Sequence, residues 1–258
     1  MPMADSPSTE TQPLPRPRKG FYLLPNLFTT ATLFGGFYAV VAAMRGRFSD
    51  AALGIFAAMV ADALDGRVAR LTNTQSSFGK EYDSLADMVA FGVAAGLVMY
   101  LFSLQHFAGH VSLGGKMGWL AAFVYVACAA LRLARFNVHA TLDGGKGDFY
   151  GLPSPSAAAL MAGFVWVAHD MQLAGEDLRW AALAVTLIAA VLMVSSVRYP
   201  SFKQVKFGER VPFFYLLLML LTFVLIAFDP PRVLGFVFVS YVLSGPVLAL
   251  WRWRRRRR

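Results

Sequence analysis

Charged and uncharged positions fall in long blocks along this chain. Seven runs carry no Lys, Arg, Asp or Glu: Phe21–Met44, Met88–Gly115, Met117–Leu131, Phe149–Ala168, Trp180–Val197, Val211–Phe228 and Val233–Trp251. A helix needs about 20 mostly apolar residues to cross the hydrocarbon of a bilayer. Several runs reach that length, and the others approach it with one polar end. Helices buried inside one soluble domain rarely run so long. The pattern predicts an all-α polytopic membrane bundle of about eight transmembrane helices, over 21–44, 49–72, 80–105, 117–138, 155–174, 179–198, 211–228 and 231–250. The connections are short. The longest internal one, about 139–154, is rich in glycine.

Composition supports this class. Only 15% of residues are charged against 57% hydrophobic, well under the quarter or so of charged residues usual in soluble domains. Residues 1–20 differ: prolines, Ser, Thr and charges of both signs offer too little apolar surface to order themselves, so a disordered cytoplasmic tail is expected. The apolar run after it is too long for a cleavable signal, and no small-residue cleavage site follows. A single cysteine, Cys128, excludes an intrachain disulfide and is expected to pack.

The 24 basic residues set the orientation. With the N-terminus inside, only Arg45, Arg47, Lys116, Arg179 and Arg232 fall outside; all others fall on the cytoplasmic side. Both termini are therefore expected in the cytoplasm. The net charge of +9 raises nucleic acid as a partner, but the basic residues sit at helix ends, where they orient the chain and meet lipid phosphates. No nucleic acid is expected. The terminal WRWRRRRR, with 252–258 as a basic cytoplasmic tail, suits a topology anchor beside anionic lipid.

Four acids interrupt this apolar pattern. Asp62 and Asp65 are spaced i, i+3, and Asp83 and Asp87 are spaced i, i+4, so each pair shares a helical face. In the expected topology both pairs lie near the cytoplasmic surface. Glu81 falls off the second face and is expected to be solvated. Four carboxylates that close cannot all stay ionised unless cations hold them. All-oxygen ligation favours Mg²⁺ or Mn²⁺. Gly66, Ala69 and Gly79 leave room for a ligand to approach, and Arg70 offers a planar fork suited to phosphate. Two such ions can stabilise a phosphoryl displacement. From spacing alone, a proton or cation pathway would use the same acids, and ion pairing with Arg67 and Arg70 is a third reading.

The complete pattern is Asp62-x2-Asp65-Gly66-x2-Ala69-Arg70-x8-Gly79-x3-Asp83-x3-Asp87. It resembles, without departure, the signature of the CDP-alcohol phosphotransferase family. The resemblance implies displacement of CMP from a CDP-linked substrate by an alcohol hydroxyl at a two-metal site. It implies that Asp62, Asp65, Asp83 and Asp87 hold the ions and that Asp87 is the general base. Asp62, Gly66, Ala69, Arg70 and Gly79 would line or contact the CDP. Asn26, just after Pro25, would either contact the nucleotide or cap its helix.

Further segments are similar to the bacterial membrane phosphatidylserine synthases of this family: LPNLFTTATLFGGF (24–37), SSFGKEYDSLADMVAFG (76–92), ALRLARFNV (130–138), YGLPSPSAA (150–158) and VSSVRYPSFK (194–203). They imply CDP-diacylglycerol as donor and L-serine as acceptor. They also imply a homodimer among membrane lipids of a bacterial inner membrane, with its active site facing the cytoplasm. Glycerol phosphate, inositol phosphate or choline stay open as acceptors. The six-helix family domain would span 21–205, with two further helices in 206–251. Arg132 and Arg135 would either snorkel to the interface or read the serine carboxylate or lipid phosphate. Asn137 and Ser154 would complete that pocket, and Arg198 and Lys203 would hold anionic lipid or phosphate. The four histidines show no paired metal spacing near the acids. The tryptophans suit interface anchors or lipid-facing packing.

Overall fold

A computed structural model describes residues 23–71, 76–109, 114–142, 151–197, 199 and 213–256. The expected tail 1–20, the connection 143–150, Arg198, Lys203 and the side chains of Ala69 and Arg70 lie outside the described residues. Every regular element among the described residues is helical. They are α1 (Leu23–Met44), α2 (Phe48–Leu71), α3 (Ser77–Asp87), a π-helical segment (Met88–Ala94), α4 (Ala95–Phe102), a 3-10 turn (Leu104–Gly109), α5 (Gly114–Leu142), α6 (Ser154–Asp170), α7 (Arg179–Val194), α8 (Phe213–Phe228) and α9 (Pro230–Arg256). Among the described residues four stretches are long and apolar enough to cross a bilayer: Asn26–Met44, Ser77–Phe102, Gly115–Val138 and Pro230–Ala249. The chain is an integral membrane protein of helical class.

Local chemistry sets several boundaries. The third predicted helix starts early, at Ser77, because the Ser76 Oγ accepts the Gly79 N–H at 2.9 Å and caps it. α5 runs to Leu142 rather than 138. α6 stops at Asp170 rather than 174, where the chain turns through Gln172 at a φ of 57°. α9 runs through the basic tail to Arg256, with the Arg255 guanidinium 3.8 Å from the Trp251 ring centre.

Lipid tails are as apolar as leucine, so helices in a bilayer are held by close van der Waals contact rather than by apolar burial. Small residues supply that contact here. A methyl group at Gly35 would stand 2.8 Å from the Gly54 carbonyl oxygen, and Ala39, Ala51 and Ala58 are fully buried where α1 meets α2. A methyl at Gly36 would stand 2.5 Å from the Ala90 Cα, so α1 lies directly against the π-helical segment. Gly36→Ala would push these two apart.

α6 is the hub, packing on α2, α4, α7 and α9. Its Ala157, Ala158, Ala159 and Ala162 are buried. α8 packs on α9, and both leave large apolar side chains such as Phe223, Phe228 and Phe236 exposed, as a lipid-facing surface requires.

The rod Ser77–Phe102 has two different ends. Beyond Phe102, Ser103 donates to the Gly175 carbonyl at 2.6 Å. Methyl groups at Gly175 and Gly118 would meet the carbonyl oxygens of Phe102 and Leu104 at 1.8 and 2.0 Å. Arg232 bridges α9 to Asp170 of α6 at 3.6 Å on this side. The other end carries the acids.

Candidate active site

α1 positions the acids. It packs against α2 on one side and against α3 and the π-helical segment on the other. Asp62 thereby comes from α2, and Asp83 and Asp87 from α3, to a single point. One carboxylate oxygen from each lies within 4.8 Å of the other two. Two unit charges at that separation repel by roughly 3–4 kcal/mol at an effective dielectric of about 20. With all three ionised the site would carry this repulsion three times over, unless cations held them.

Asp65 is buried behind the trio and accepts a hydrogen bond from the Thr29 hydroxyl of α1. Thr30 and Tyr82 share a second hydroxyl contact between α1 and α3 at 3.0 Å. Glu81 is exposed, as its position off the acidic face predicts.

The donor set fits a hard divalent cation. Its ligands are all carboxylate oxygens, and Asp87 Oδ1 is buried with no hydrogen-bond partner among the described residues. Such an orphaned acceptor costs free energy unless something satisfies it. Among the described residues no other group of three or more Asp, Glu, His or Cys side chains converges in this way. One residue after Asp65, a methyl group at Gly66 would meet none of the described residues within 4 Å. The start of α3 is closer: a methyl at Gly79 would stand 3.1 Å from Ser76 Oγ and 3.7 Å from Asn26 Oδ1. Asn26 and Gly79 therefore border the same space.

The signature residues that sequence spacing grouped thus lie on two helices around one acidic point. A family model described as CDP-alcohol phosphatidyltransferase matches residues 22–194, two thirds of the chain and all of α1 through α7. The chain belongs to the CDP-alcohol phosphatidyltransferase family.

Named relatives fall in one part of that family. A CDP-diacylglycerol–serine O-phosphatidyltransferase of Helicobacter pylori is 38% identical over 208 residues, covering 81% of this chain and 84% of the relative. The protein of that name in Mycobacterium tuberculosis is 38% identical over 159 residues, covering 58% and 52%. An archaetidylserine synthase of Methanothermobacter thermautotrophicus is 32% identical over 182 residues, covering 70% of each chain.

α5 and α6 close the site of this CDP-alcohol phosphatidyltransferase. Arg132 faces inward: its Nη1 donates to the Ser154 Oγ at 3.4 Å, its Nε is buried with no partner among the described residues, and its charge acts on Asp87. Arg135, three residues on, is exposed. Asn137 donates to Ser84 Oγ at 2.8 Å, so it ties α5 to the helix that carries Asp83 and Asp87.

Directly after Asp87 the chain widens into the π-helical segment, a form that recurs at functional sites. The fully buried Tyr125 donates to the Phe91 carbonyl there at 2.9 Å. Sequence reasoning passed over Thr29, Ser84 and Tyr125. Thr29 had a signal: Asn26, Thr29 and Thr30 stand at i, i+3 and i+4 in an otherwise apolar helix.

Proposed function

We propose that this protein transfers the phosphatidyl group of CDP-diacylglycerol to the hydroxyl of L-serine, giving phosphatidylserine and CMP. The observation that carries the chemistry is the convergence of Asp62, Asp83 and Asp87 with the orphaned Asp87 Oδ1. The names of the relatives support serine as acceptor.

In this reading Asp62, Asp65, Asp83 and Asp87 hold two Mg²⁺ or Mn²⁺ ions. When bound, such ions neutralise a pyrophosphate and stabilise the charge on departing CMP. The chain's own residues do the remainder. Asn26, Asp62, Gly66, Ala69, Arg70 and Gly79 bind and orient the CDP. Arg132, Arg135, Asn137 and Ser154 read the serine carboxylate or the lipid phosphate, and Arg198 and Lys203 hold anionic lipid or phosphate.

Asp87 takes the proton of the serine hydroxyl. The serine oxygen bonds to the phosphorus that carries diacylglycerol, the bond from that phosphorus to the CMP phosphate oxygen breaks, and CMP leaves. General-base assistance contributes about 10²–10⁴-fold, so positioning and charge stabilisation supply most of the rate.

The wider reading keeps eight spanning helices, both termini in the cytoplasm and a homodimer in a bacterial inner membrane. CDP-diacylglycerol then enters sideways, its acyl chains in the bilayer and its nucleotide at the cytoplasmic face. α8 and α9 are additions to the matched family segment.

The experiment uses purified protein, Mg²⁺ or Mn²⁺, labelled CDP-diacylglycerol and a panel of alcohols. CMP release that requires both CDP-diacylglycerol and serine, with labelled phosphatidylserine as product, is the expected result. Turnover with glycerol phosphate, inositol phosphate or choline but not serine would move the protein to another acceptor. No CMP release with any alcohol would return the acids to ion transport.

A further inference from the structure

The seam between α1 and α2 runs into the acids. Close backbone contact sets its spacing: a methyl at Gly35 would stand 2.8 Å from the Gly54 carbonyl oxygen, and one at Gly54 would stand 3.0 Å from the Gly35 carbonyl oxygen. One turn nearer the site, the buried Thr32 hydroxyl is shared between the Phe28 carbonyl of its own helix at 3.2 Å and the Ala58 carbonyl of α2 at 3.4 Å. One turn nearer still, the Thr29 hydroxyl donates to Asp65 Oδ2. Gly35 with Gly54, Thr32 with Ala58 and Thr29 with Asp65 thus follow one another along a single antiparallel seam. A slide of either helix would disturb all of these contacts together.

Thr29 and Asp65 are 1% and 5% exposed, so bulk water does not compete for their bond. The bond occupies Oδ2 and leaves the carboxylate its other oxygen, Oδ1. Asp65 also differs from its neighbours. The oxygens that converge within 4.8 Å come from Asp62, Asp83 and Asp87, and Asp65 is not among them. Three acids crowd the point where a cation is expected, while the fourth is held from behind by a hydroxyl on another helix. Carboxylates that ligate ions are oriented by outer donors of this kind, and losing one typically costs about 10–100-fold in ion affinity or activity.

We infer that Thr29 is a positioning residue for the ion site: its hydroxyl holds Asp65 by Oδ2, so that the carboxylate meets a divalent ion in one orientation. This deepens the two-ion reading and rests on it. α1 carries none of the four acids, yet it then takes part in ion binding through this hydroxyl.

The test reads ion binding itself, so it holds whichever alcohol is the acceptor. The full-length protein is stripped of divalent ions and titrated with Mn²⁺, with and without CMP, while electron paramagnetic resonance reports the free ion. Thr29→Val keeps the shape and removes the hydroxyl. Thr29→Ser keeps the hydroxyl. Thr32→Val removes the next buried hydroxyl of the same seam, which bonds carbonyls and no acid.

The expected result is a Mn²⁺ Kd raised about tenfold or more in Thr29→Val, and within about threefold of wild type in Thr29→Ser and Thr32→Val. Should Thr29→Val fail to fold, Thr29→Cys takes its place with the same expectation, since a thiol is a weak donor. A wild-type Kd in the variant that lacks the hydroxyl overturns the inference and leaves the ion site standing. An equal loss in Thr32→Val overturns it too, because a loosened seam would then explain both. So does an equal loss in Thr29→Ser, which would trace the effect to the methyl group. Wild-type protein that binds no Mn²⁺ under either condition removes the ion reading and this role together.

Discussion

At one end of the rod Ser77–Phe102, Ser103 reaches the Gly175 carbonyl and two glycines bring backbones into contact. At the other end, three carboxylates converge and Asp87 Oδ1 finds no donor among the described residues. The first end satisfies its polar atoms and holds its backbones in direct contact. The second leaves polar atoms wanting, and a methyl at Gly66 there would meet none of the described residues within 4 Å. A 26-residue rod spans about 39 Å, long enough to cross a bilayer core. Stability is concentrated where packing is closed, and chemistry where acids are crowded. Substitutions should therefore sort by end: those at the acids remove activity and spare the fold, and those at the glycines do the reverse.

The largest effect should come from stripping divalent ions. A chelator should abolish CMP release, and Mg²⁺ or Mn²⁺ should restore it. Because an ion that binds only the folded state stabilises it by mass action, the Tm should fall on chelation as well. Asp62→Asn should weaken ion binding and, with it, nucleotide binding. Full turnover in a chelator shown to remove bound metal would end the metal model.

Next comes Asp87→Asn, which keeps the shape and one ligating oxygen but cannot accept a proton. We expect kcat to fall by about 10²-fold or more. A neutral amide of the same shape also replaces one of three crowded acids that cannot all be ionised without cations, so the ion-free Tm should hold or rise. Metal content and nucleotide affinity are measured on the same preparation. Near-wild-type turnover with both retained would remove Asp87 as the base, and loss of both would make it a ligand first.

At the closed end, Gly175→Ala should give the opposite result. The added methyl would stand 1.8 Å from the Phe102 carbonyl oxygen, which is backbone and cannot swing aside. Overpacking of this kind costs about 1–3 kcal/mol. The Tm should drop by several degrees, while kcat per folded molecule stays near wild type. A loss of kcat without loss of Tm would mean that the two ends are coupled.

These two ends were not equally legible in the sequence. The acids were, because i, i+3 and i, i+4 spacings in apolar surroundings are local facts that survive folding. The helices were legible from length and apolarity, with shifts of a few residues where caps and turns such as Ser76 and Gln172 intervene. The closed end was silent: Gly118 and Gly175 touch carbonyls on segments distant in sequence, and nothing near either glycine announces a partner. The π-helical segment was silent too, since MVAFGVA is as compatible with an ordinary helix. The Thr29–Asp65 bond joins residues 36 positions apart, and only the polar stripe on α1 hinted at it.

The smallest expected effect concerns Asn137, which is expected from the sequence to complete the acceptor pocket and which the structure ties to Ser84. These roles predict different kinetics. A tie between α5 and α3 acts on the placement of Asp83 and Asp87, so Asn137→Ala should lower kcat a few-fold, in keeping with a net hydrogen-bond contribution of about 1 kcal/mol. It should leave the serine KM within about twofold. Ser84→Ala removes the other half of the same bond, so the double variant should be no worse than either single one. A pocket contact predicts instead a serine KM raised about tenfold with kcat intact, and additive effects with Ser84→Ala. Measuring kcat and serine KM across the four proteins of this cycle decides whether Asn137 serves the acids through α3 or meets the acceptor itself.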